Sequence, residues 1–179
     1  AMKMVRQFFV ERDGKGSGKT EIIARWNSYH GGTLGTMGLA GSMARRRTFA
    51  PLFKEHPKIQ PHYCYRCPYN LTYPACDVAC ARALESEILR IGPEAVAAFF
   101  AEPVVGSTAG GLNPPKEYWP IVREICTRYD VLLVADEIMT GMGRTGKPFC
   151  TQHWDVTPDI ICSAKALTGG YAPVGAMIV

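Results

Sequence analysis

The sequence lacks the features of a membrane, secreted or fibrous protein. Its longest uninterrupted apolar run, residues 95–101, has seven residues, far fewer than the ~18 that a membrane-spanning helix needs. The basic residues near the start lead into no apolar core of a secretory signal. The 179 residues are 47% hydrophobic and 20% charged, which excludes disorder, collagen and coiled coil. One ordinary globular domain is the expectation.

Strong charge and a disulfide framework are also missing. The net charge is +4, and the only basic run is Arg45-Arg46-Arg47, so we expect a solvated segment there and neither a nucleic-acid nor a membrane partner. Seven cysteines are an odd number and too few for a disulfide scaffold of this length. The sequence therefore predicts a reducing compartment, the cytoplasm.

Short apolar runs alternate with helical patterns along the chain. Four near-continuous apolar runs predict buried strands at residues 21–26, 96–101, 131–135 and 159–162. Apolar side chains at helical spacing predict helices at residues 76–91 and 115–129. This alternation is typical of an α/β fold, here a three-layer αβα arrangement with a mostly parallel sheet.

Both ends of the chain fall inside regular patterns. Met4, Val5, Phe8 and Phe9 recur at helical spacing with no N-cap ahead of them, and residues 175–179 have the pattern of a strand. We therefore expect the chain to be a piece of a larger protein.

Chemically active side chains follow the predicted strands. Ligands of parallel sheets bind beyond the carboxyl ends of the strands, where this chain places Tyr29, Glu102, Asp136 and Lys165. Taken singly, each has an ordinary structural interpretation, such as a helix cap for Asp136 or a surface position for Lys165. Together they match the needs of pyridoxal phosphate, which requires a Schiff-base lysine, a carboxylate at its ring nitrogen and a stacked aromatic.

Four motifs carry a family resemblance. They are SYHG at residues 28–31, AEPVVG at 101–106, VLLVADEIMTGMGRTG at 131–146 and PDIICSAKALTGGYAPVGAM at 158–177. In this order the chain resembles, over essentially its whole length, the class III pyridoxal-phosphate-dependent aminotransferases of fold type I. The resemblance implies that residues 1–179 are a partial cofactor-binding large domain without the small domain. An irregular cysteine-rich insertion is expected at about residues 49–80.

The resemblance also implies roles for individual residues. Lys165 would hold the cofactor as a Schiff base and shuttle a proton, and Asp136 would pair with the pyridine nitrogen. Ile138 would pack on one face of the ring and Tyr29 would stack on the other, with His30 of the same SYHG motif among the cofactor-binding residues. The cofactor's phosphate ligands would lie mostly outside this stretch.

The remaining implications concern substrates and assembly. Glu102 matches an acid on the substrate side of the family's site, whereas Met139 stands where some members carry a glutamine. The implied reaction moves an amino group from an amino acid or ω-amine to a 2-oxo acid such as pyruvate or 2-oxoglutarate, in a homodimer. Decarboxylation, racemisation and an aminomutase reaction would use the same lysine and aspartate, and these alternatives stay open.

A cysteine pattern suggests a second kind of function. Cys64, Cys67, Cys76 and Cys80 form a C-x2-C…C-x3-C arrangement, and the last two would share a helix face. They could close a structural zinc or iron–sulfur site, with His62 as a possible ligand. The alternatives are small buried residues in an aromatic-rich lid, or a metal-binding module on an inactive α/β remnant.

Residues 14–20, GKGSGKT, resemble a phosphate-binding loop. The motif requires a glycine at position 13, which is Asp13, and a strand before the loop rather than a helix. A polar helix-to-strand turn is therefore expected, and a nucleotide switch is the third possibility.

Overall fold

The computed structural model describes residues 1–179 as alternating helices and strands. The helices are α1 (Met2–Asp13), α2 (Leu34–Leu39), α3 (Met43–Arg46), α4 (Ala79–Ile91) and α5 (Tyr118–Arg128). The strands are β1 (Glu21–Arg25), β2 (Lys58–Ile59), β3 (Val96–Ala101), β4 (Leu132–Asp136), β5 (Ile160–Ser163) and β6 (Ala176–Ile178). Short 3₁₀ helices lie at Arg47–Leu52, Cys64–Arg66, Cys150–Trp154 and Lys165–Thr168. No helix is both long and apolar enough to cross a bilayer.

The six strands form one sheet in the order β2-β1-β3-β4-β5-β6. The first five are parallel to one another, and β6 is antiparallel to β5. Every residue of β3 is buried, as expected for a central strand that is covered on both faces. The mostly parallel sheet predicted from the sequence is confirmed.

Helices cover both faces of the sheet. On one face, strand residues such as Phe99 and Leu133 pack in one core with the apolar sides of α4 and α5. On the other face, Phe100 and Val134 pack in a second core with residues of α1 and α2. Adjacent residues of a strand thus serve opposite cores, because strand side chains alternate between faces. The three-layer αβα fold is confirmed.

The first helix forms as its periodicity predicts, but it is only partly buried. Val5 and Phe9, four residues apart, are buried, while Met4 and Phe8 are about two-fifths exposed at 39% and 41%. Because residues four apart share a helix face, the sheet takes up one stripe of α1 and leaves the neighbouring stripe exposed.

Strand boundaries agree with the predictions to within one residue, but two helix starts were wrong. Helix α4 begins at Ala79 rather than at residue 76. Asp77 and Val78 before it have φ values of 47° and 49°, in the left-handed region that a right-handed helix cannot include. Cys76 therefore lies in a turn, outside the helix that contains Cys80. Helix α5 likewise begins later than predicted, at Tyr118.

The irregular segment at residues 49–80 contains a strand that the sequence did not reveal. Strand β2 has two residues, too few for any periodicity to show, and it extends the sheet by pairing with Ala24 and Arg25 of β1. The glycine-rich residues 14–20 connect α1 to β1, so the helix-to-strand position that argued against a phosphate loop is confirmed.

Candidate active site

The carboxyl ends of β1, β3, β4 and β5 meet at one edge of the sheet, because these strands are parallel neighbours. Asp136, the last residue of β4, is paired with Cys162 of β5. The Glu137 N–H donates to the Cys162 carbonyl at 2.9 Å, which continues the pairing past the end of β4. Lys165 follows β5 by two residues, Glu102 follows β3, and Tyr29 lies in the loop after β1. The predicted residues therefore share this edge.

Asp136 is buried and makes two hydrogen bonds. Its Oδ2 lies 2.9 Å from His30 Nδ1, and its Oδ1 accepts from the Ile138 N–H at 3.2 Å. Burial alone would lower the pKa of His30, but the hydrogen bond to Asp136 and the charge of Glu102 outweigh it and raise this pKa. His30 and Asp136 therefore form a buried hydrogen-bonded pair, in which the carboxylate favours the protonated form of the imidazole.

Glu102 is a second buried carboxyl group at the same edge. Its Oε1 accepts from the Tyr29 N–H at 3.2 Å, and its Oε2 has no hydrogen-bond partner. Burial raises the pKa of Glu102, while the nearby His30 and Arg25 oppose that rise. Glu102 thus holds the backbone of the Tyr29 loop and keeps one oxygen available.

The loop that carries Tyr29 and His30 is fixed by backbone contacts. The Ser28 hydroxyl donates to the Arg25 carbonyl at 2.7 Å, and the Gly41 N–H donates to the Ser28 carbonyl at 3.1 Å. A Cβ atom at Gly41 would lie 2.4 Å from the Arg25 carbonyl oxygen, a distance that no side chain tolerates. Glycine is required here because the chain after α2 passes directly over the end of β1.

The half-buried ring of Tyr29 carries a cation that the sequence did not assign to the site. The guanidinium of Arg45 lies 4.7 Å from the ring centroid, and its Nη1 donates to Ser107 Oγ at 2.8 Å. Arg46, next in the basic run, is buried and pairs with Glu55. The expectation of a wholly solvated basic run is therefore wrong, because these two side chains point to different partners.

Lys165 is exposed and has an unusual backbone. Its φ is 49°, in the left-handed region where non-glycine residues are uncommon and often functional. Its Nζ lies against the Met139 sulfur, and the Met139 methyl group would be 3.1 Å from a Cβ atom at Gly106. Met139 thus bridges the lysine to the loop that follows Glu102.

Glu137 is a buried acid that was not predicted as a site residue, although its neighbour Asp136 was. It accepts from the Thr151 N–H at 2.8 Å and from the Thr140 hydroxyl. These bonds tie the loop after β4 to the 3₁₀ helix Cys150–Trp154. The sequence contained a signal for this role, namely two consecutive acids directly after an apolar strand. Because neighbouring side chains of an extended chain point to opposite sides, the two acids are expected to have different partners.

The donor set at this edge fits an aromatic aldehyde cofactor. It comprises a buried carboxylate hydrogen-bonded to a buried histidine, an accessible primary amine and a half-buried aromatic ring. His30 Nε2 and Ser163 Oγ are buried polar atoms without hydrogen-bond partners, and such atoms ordinarily find one. Asp136, Lys165 and Tyr29 are the residues that could hold the cofactor.

The proposed cysteine metal site is not supported. No group of three or more His, Cys, Asp or Glu side chains forms an arrangement that could hold a metal ion. Cys64 is exposed and Cys80 is buried, and burial raises the pKa of the Cys80 thiol to about 11. The i, i+4 argument for Cys76 and Cys80 fails because the helix begins between them. Both ring nitrogens of His62 already have partners.

Comparison with known proteins points to one family. The aminotransferase class-III family matches residues 1–179. An uncharacterized aminotransferase of Bacillus subtilis, YodT, is 40% identical over 100% of this chain and 40% of its own length. The putrescine–pyruvate aminotransferase of Pseudomonas aeruginosa is 38% identical over 99% of this chain and 38% of its own length.

A solved structure agrees in both fold and sequence. An amine transaminase from an uncultivated Pseudomonas species, in its PLP-bound form, superposes with a TM-score of 0.89 and 37% identity. That match covers 98% of this chain and 39% of the solved chain. The chain therefore spans about two-fifths of the length of the relatives it matches. It has the αβα fold of the PLP-dependent transaminases, and it belongs to the class-III aminotransferase family.

Proposed function

We propose that the protein is a pyridoxal-phosphate-dependent aminotransferase that uses Lys165 and Asp136. The observation that carries this proposal is the meeting of four strand ends at one sheet edge. There Asp136, which is hydrogen-bonded to the buried His30, ends the strand adjacent to the one that leads to Lys165. This edge is where parallel sheets bind ligands. Family membership over residues 1–179 supports the same reaction class.

Pyridoxal phosphate, when bound, supplies an electron-withdrawing ring that stabilises negative charge on the substrate carbon. Asp136 would accept a hydrogen bond from the ring nitrogen through its carboxylate, and His30, whose Nδ1 lies 2.9 Å from Oδ2, would hold that carboxylate in place. Tyr29 and Ile138 would contact the two faces of the ring. These roles are what the family resemblance implies, and the position of each group at the strand ends supports them.

Lys165 would bind the aldehyde carbon of the cofactor and, once displaced, move a proton on Nζ. Its exposure makes the amine accessible to both cofactor and substrate. Glu102, with one carboxyl oxygen unpaired, would lie on the substrate side. An ordered carboxyl group of this kind is available for a substrate or a charged side chain.

The substrates follow from the family and its named relatives. We propose an amino acid or ω-amine as donor and a 2-oxo acid such as pyruvate or 2-oxoglutarate as acceptor. The putrescine–pyruvate specificity named for the Pseudomonas aeruginosa relative supports pyruvate as the first acceptor to test. Decarboxylation, racemisation and an aminomutase reaction remain alternatives with the same lysine and aspartate.

The assembly proposal concerns the rest of the enzyme. Residues 1–179 would be part of the cofactor-binding large domain, and residues 49–80 would be an irregular cysteine-rich insertion in it. The shares of 38–40% of the relatives' lengths support this assignment. We propose a homodimer in the cytoplasm, the latter from the sparse and odd number of cysteines.

Covalent capture tests the cofactor assignment. The full-length protein is incubated with pyridoxal phosphate, reduced with borohydride and mapped by peptide mass. The expected product is a phosphopyridoxyl group on Lys165, which Lys165→Ala abolishes and the exposed-lysine control Lys116→Ala retains. A folded protein left unmodified at Lys165 would overturn the proposal.

Product analysis tests the reaction class. With an amine donor and pyruvate, an aminotransferase forms alanine in proportion to the oxidised donor. Release of carbon dioxide, or loss of optical activity without alanine, would instead assign a decarboxylase or a racemase.

A further inference from the structure

Arg25, the last residue of β1, is a fully buried cation at the centre of a polar chain. Its Nη1 lies 2.7 Å from His62 Nδ1, and its Nη2 donates to the Glu102 carbonyl at 2.6 Å. The Tyr118 hydroxyl is a more distant acceptor at 3.4 Å. The guanidinium thus joins the cysteine-rich segment, through His62, to the acid beside the candidate active site.

The contacts of His62 define its protonation state. A guanidinium can only donate, so Nδ1 of His62 accepts from Arg25. The other ring nitrogen, Nε2, therefore carries the hydrogen and donates to the Leu112 carbonyl at 3.1 Å. Burial and the positive charge of Arg25 lower the pKa of His62 well below its ordinary value. His62 is a neutral acceptor that occupies one arm of the guanidinium.

This arrangement holds Arg25 away from the carboxyl group of Glu102. The nearest guanidinium nitrogen, Nη2, is 3.8 Å from Oε2, longer than the 2.7–2.9 Å of a charge-assisted hydrogen bond. Oε2 has no partner of its own. With His62 on Nη1 and the Glu102 carbonyl on Nη2, the paired geometry that arginine ordinarily makes with a carboxylate does not form.

We propose that His62 is a positioning residue that, by holding Arg25, sets how strongly the Glu102 carboxylate is stabilised as an anion. The segment at residues 49–80 is then coupled to the candidate active site rather than being a separate structural insertion. The inference rests on the proposed site for its functional meaning, but its test requires no transamination.

A simpler role for His62 is packing alone. Its ring lies edge-on to Tyr118, with 4.8 Å between the ring centroids, and is buried. A packing role predicts that an aromatic substitute restores the protein fully. A positioning role predicts that the acceptor at Nδ1 matters separately from the ring.

The groups that face Glu102 decide how the test is read. They are Arg25 on β1, the Tyr29 N–H and His30 in the following loop, and Asp136 at the end of β4. Only Arg25 among these contacts His62. A change at His62 therefore reaches Glu102 through the guanidinium.

The experiment follows the side-chain carboxyl ¹³C signal of Glu102 in the full-length protein as pH is changed. The His62→Phe substitution keeps an aromatic ring at this position but removes the acceptor for Arg25. The guanidinium is then free to form a hydrogen bond with Oε2 of Glu102. The midpoint of Glu102 should fall by about 1 pH unit, the effect of an opposite charge at short range. His62→Asn, whose side-chain oxygen restores an acceptor near Nδ1, should return the midpoint close to that of the unsubstituted protein.

The matched control is His56→Phe, since His56 is another buried histidine of the same segment and makes no contact with Arg25. It should leave the Glu102 midpoint unchanged. If His62→Phe does not fold, His62→Leu fills part of the space without any acceptor for Arg25, and the same fall is expected. An unchanged midpoint in a folded His62→Phe or His62→Leu protein overturns the proposal, whatever the result of covalent capture at Lys165.

Discussion

Two buried histidines near Glu102 have pKa values that are shifted in opposite directions. His30 faces carboxylates, and the bond to Asp136 with the charge of Glu102 raises its pKa in spite of burial. His62 faces a guanidinium, and burial together with Arg25 lowers its pKa well below the ordinary range. Both rings are buried to a similar degree, so burial alone does not decide the direction of the pKa shift. The sign of the charge on the nearest partner decides it.

The difference produces an alternating row of charges across the site. From the cysteine-rich segment inward, the groups are His62, Arg25, Glu102, His30 and Asp136, so that basic and acidic side chains alternate. Each buried charge has an opposite neighbour, which is the condition for keeping charges away from water. The comparison predicts that removing an inner member is more damaging than removing an outer one.

The largest effect is expected from Arg25→Met. The substitution leaves the Glu102 carboxyl buried without its cation and His62 Nδ1 without a donor. The free energy of unfolding should fall by about 3–5 kcal/mol, as when one partner of a buried ion pair is removed. Urea unfolding measures it. Arg128→Met, which breaks an exposed pair with Glu124, should cost far less, and equal losses in the two variants would contradict the comparison.

A smaller effect is expected from Asp136→Asn. The amide keeps the size of the side chain but removes the charge that hydrogen-bonds His30. The pKa of His30 should fall because burial then dominates, and stability should drop by about 1–3 kcal/mol. Ring ¹⁵N signals of both histidines report the result. A simultaneous shift at His62, whose pKa depends on Arg25, would show that the two histidines are not independent.

The pH dependence of stability should carry both signs. Because the pKa of His30 is raised by folding, its contribution to the free energy of unfolding is fully present below pH 6.5, the ordinary pKa of histidine. This contribution is lost as the pH rises through the pKa of the folded state. The lowered pKa of His62 makes its contribution complete above 6.5 and lost as pH falls towards its folded pKa. For one histidine, the free energy of unfolding changes by at most about 1.4 kcal/mol per pH unit.

Unfolding curves from acid to mildly alkaline pH separate these contributions. His30→Gln should flatten the alkaline side alone, and His62→Gln should flatten the acid side alone. If either variant flattened the opposite side, the assigned charge state of that histidine would be wrong.

The smallest effect is expected at Arg45, the exposed cation over the Tyr29 ring. Arg45→Gln should reduce stability by only about 0.5–1 kcal/mol, the range of an exposed cation–π contact. Thermal unfolding measures this loss. A loss as large as that of Arg25→Met would mean that Arg45 supports more of the site than the ring of Tyr29.

Local patterns predicted most of the fold and the approximate location of the site. The buried strands and the three long helices, α1, α4 and α5, follow from apolar periodicity. Strand β2 was not predicted because two residues are too few to show a period. Asp136 and Lys165 were predicted as site residues because strand ends in parallel sheets are where ligands bind, and their roles stay predictions. Arg25 was missed, and His62 was considered only as a metal ligand, because an arginine at a strand end and a histidine in an irregular segment have no local signature. The cysteine spacing predicted that Cys76 and Cys80 share a helix face. This prediction is wrong because the two residues before α4 have φ values in the left-handed region and Cys76 lies outside the helix.

The sequence by itself determined the order of strands and helices, the family motifs and the chemical groups available at the strand ends. Only the tertiary structure decided which of these groups meet. His30 and Asp136 are 106 residues apart, and Arg25 and His62 are 37 apart. Hydrogen bonds of a few ångströms between such distant residues depend on how parallel strands and the segment at residues 49–80 pack together. The direction of the pKa shift of each buried histidine therefore depends on the fold, because the fold determines which charged partner lies beside the ring.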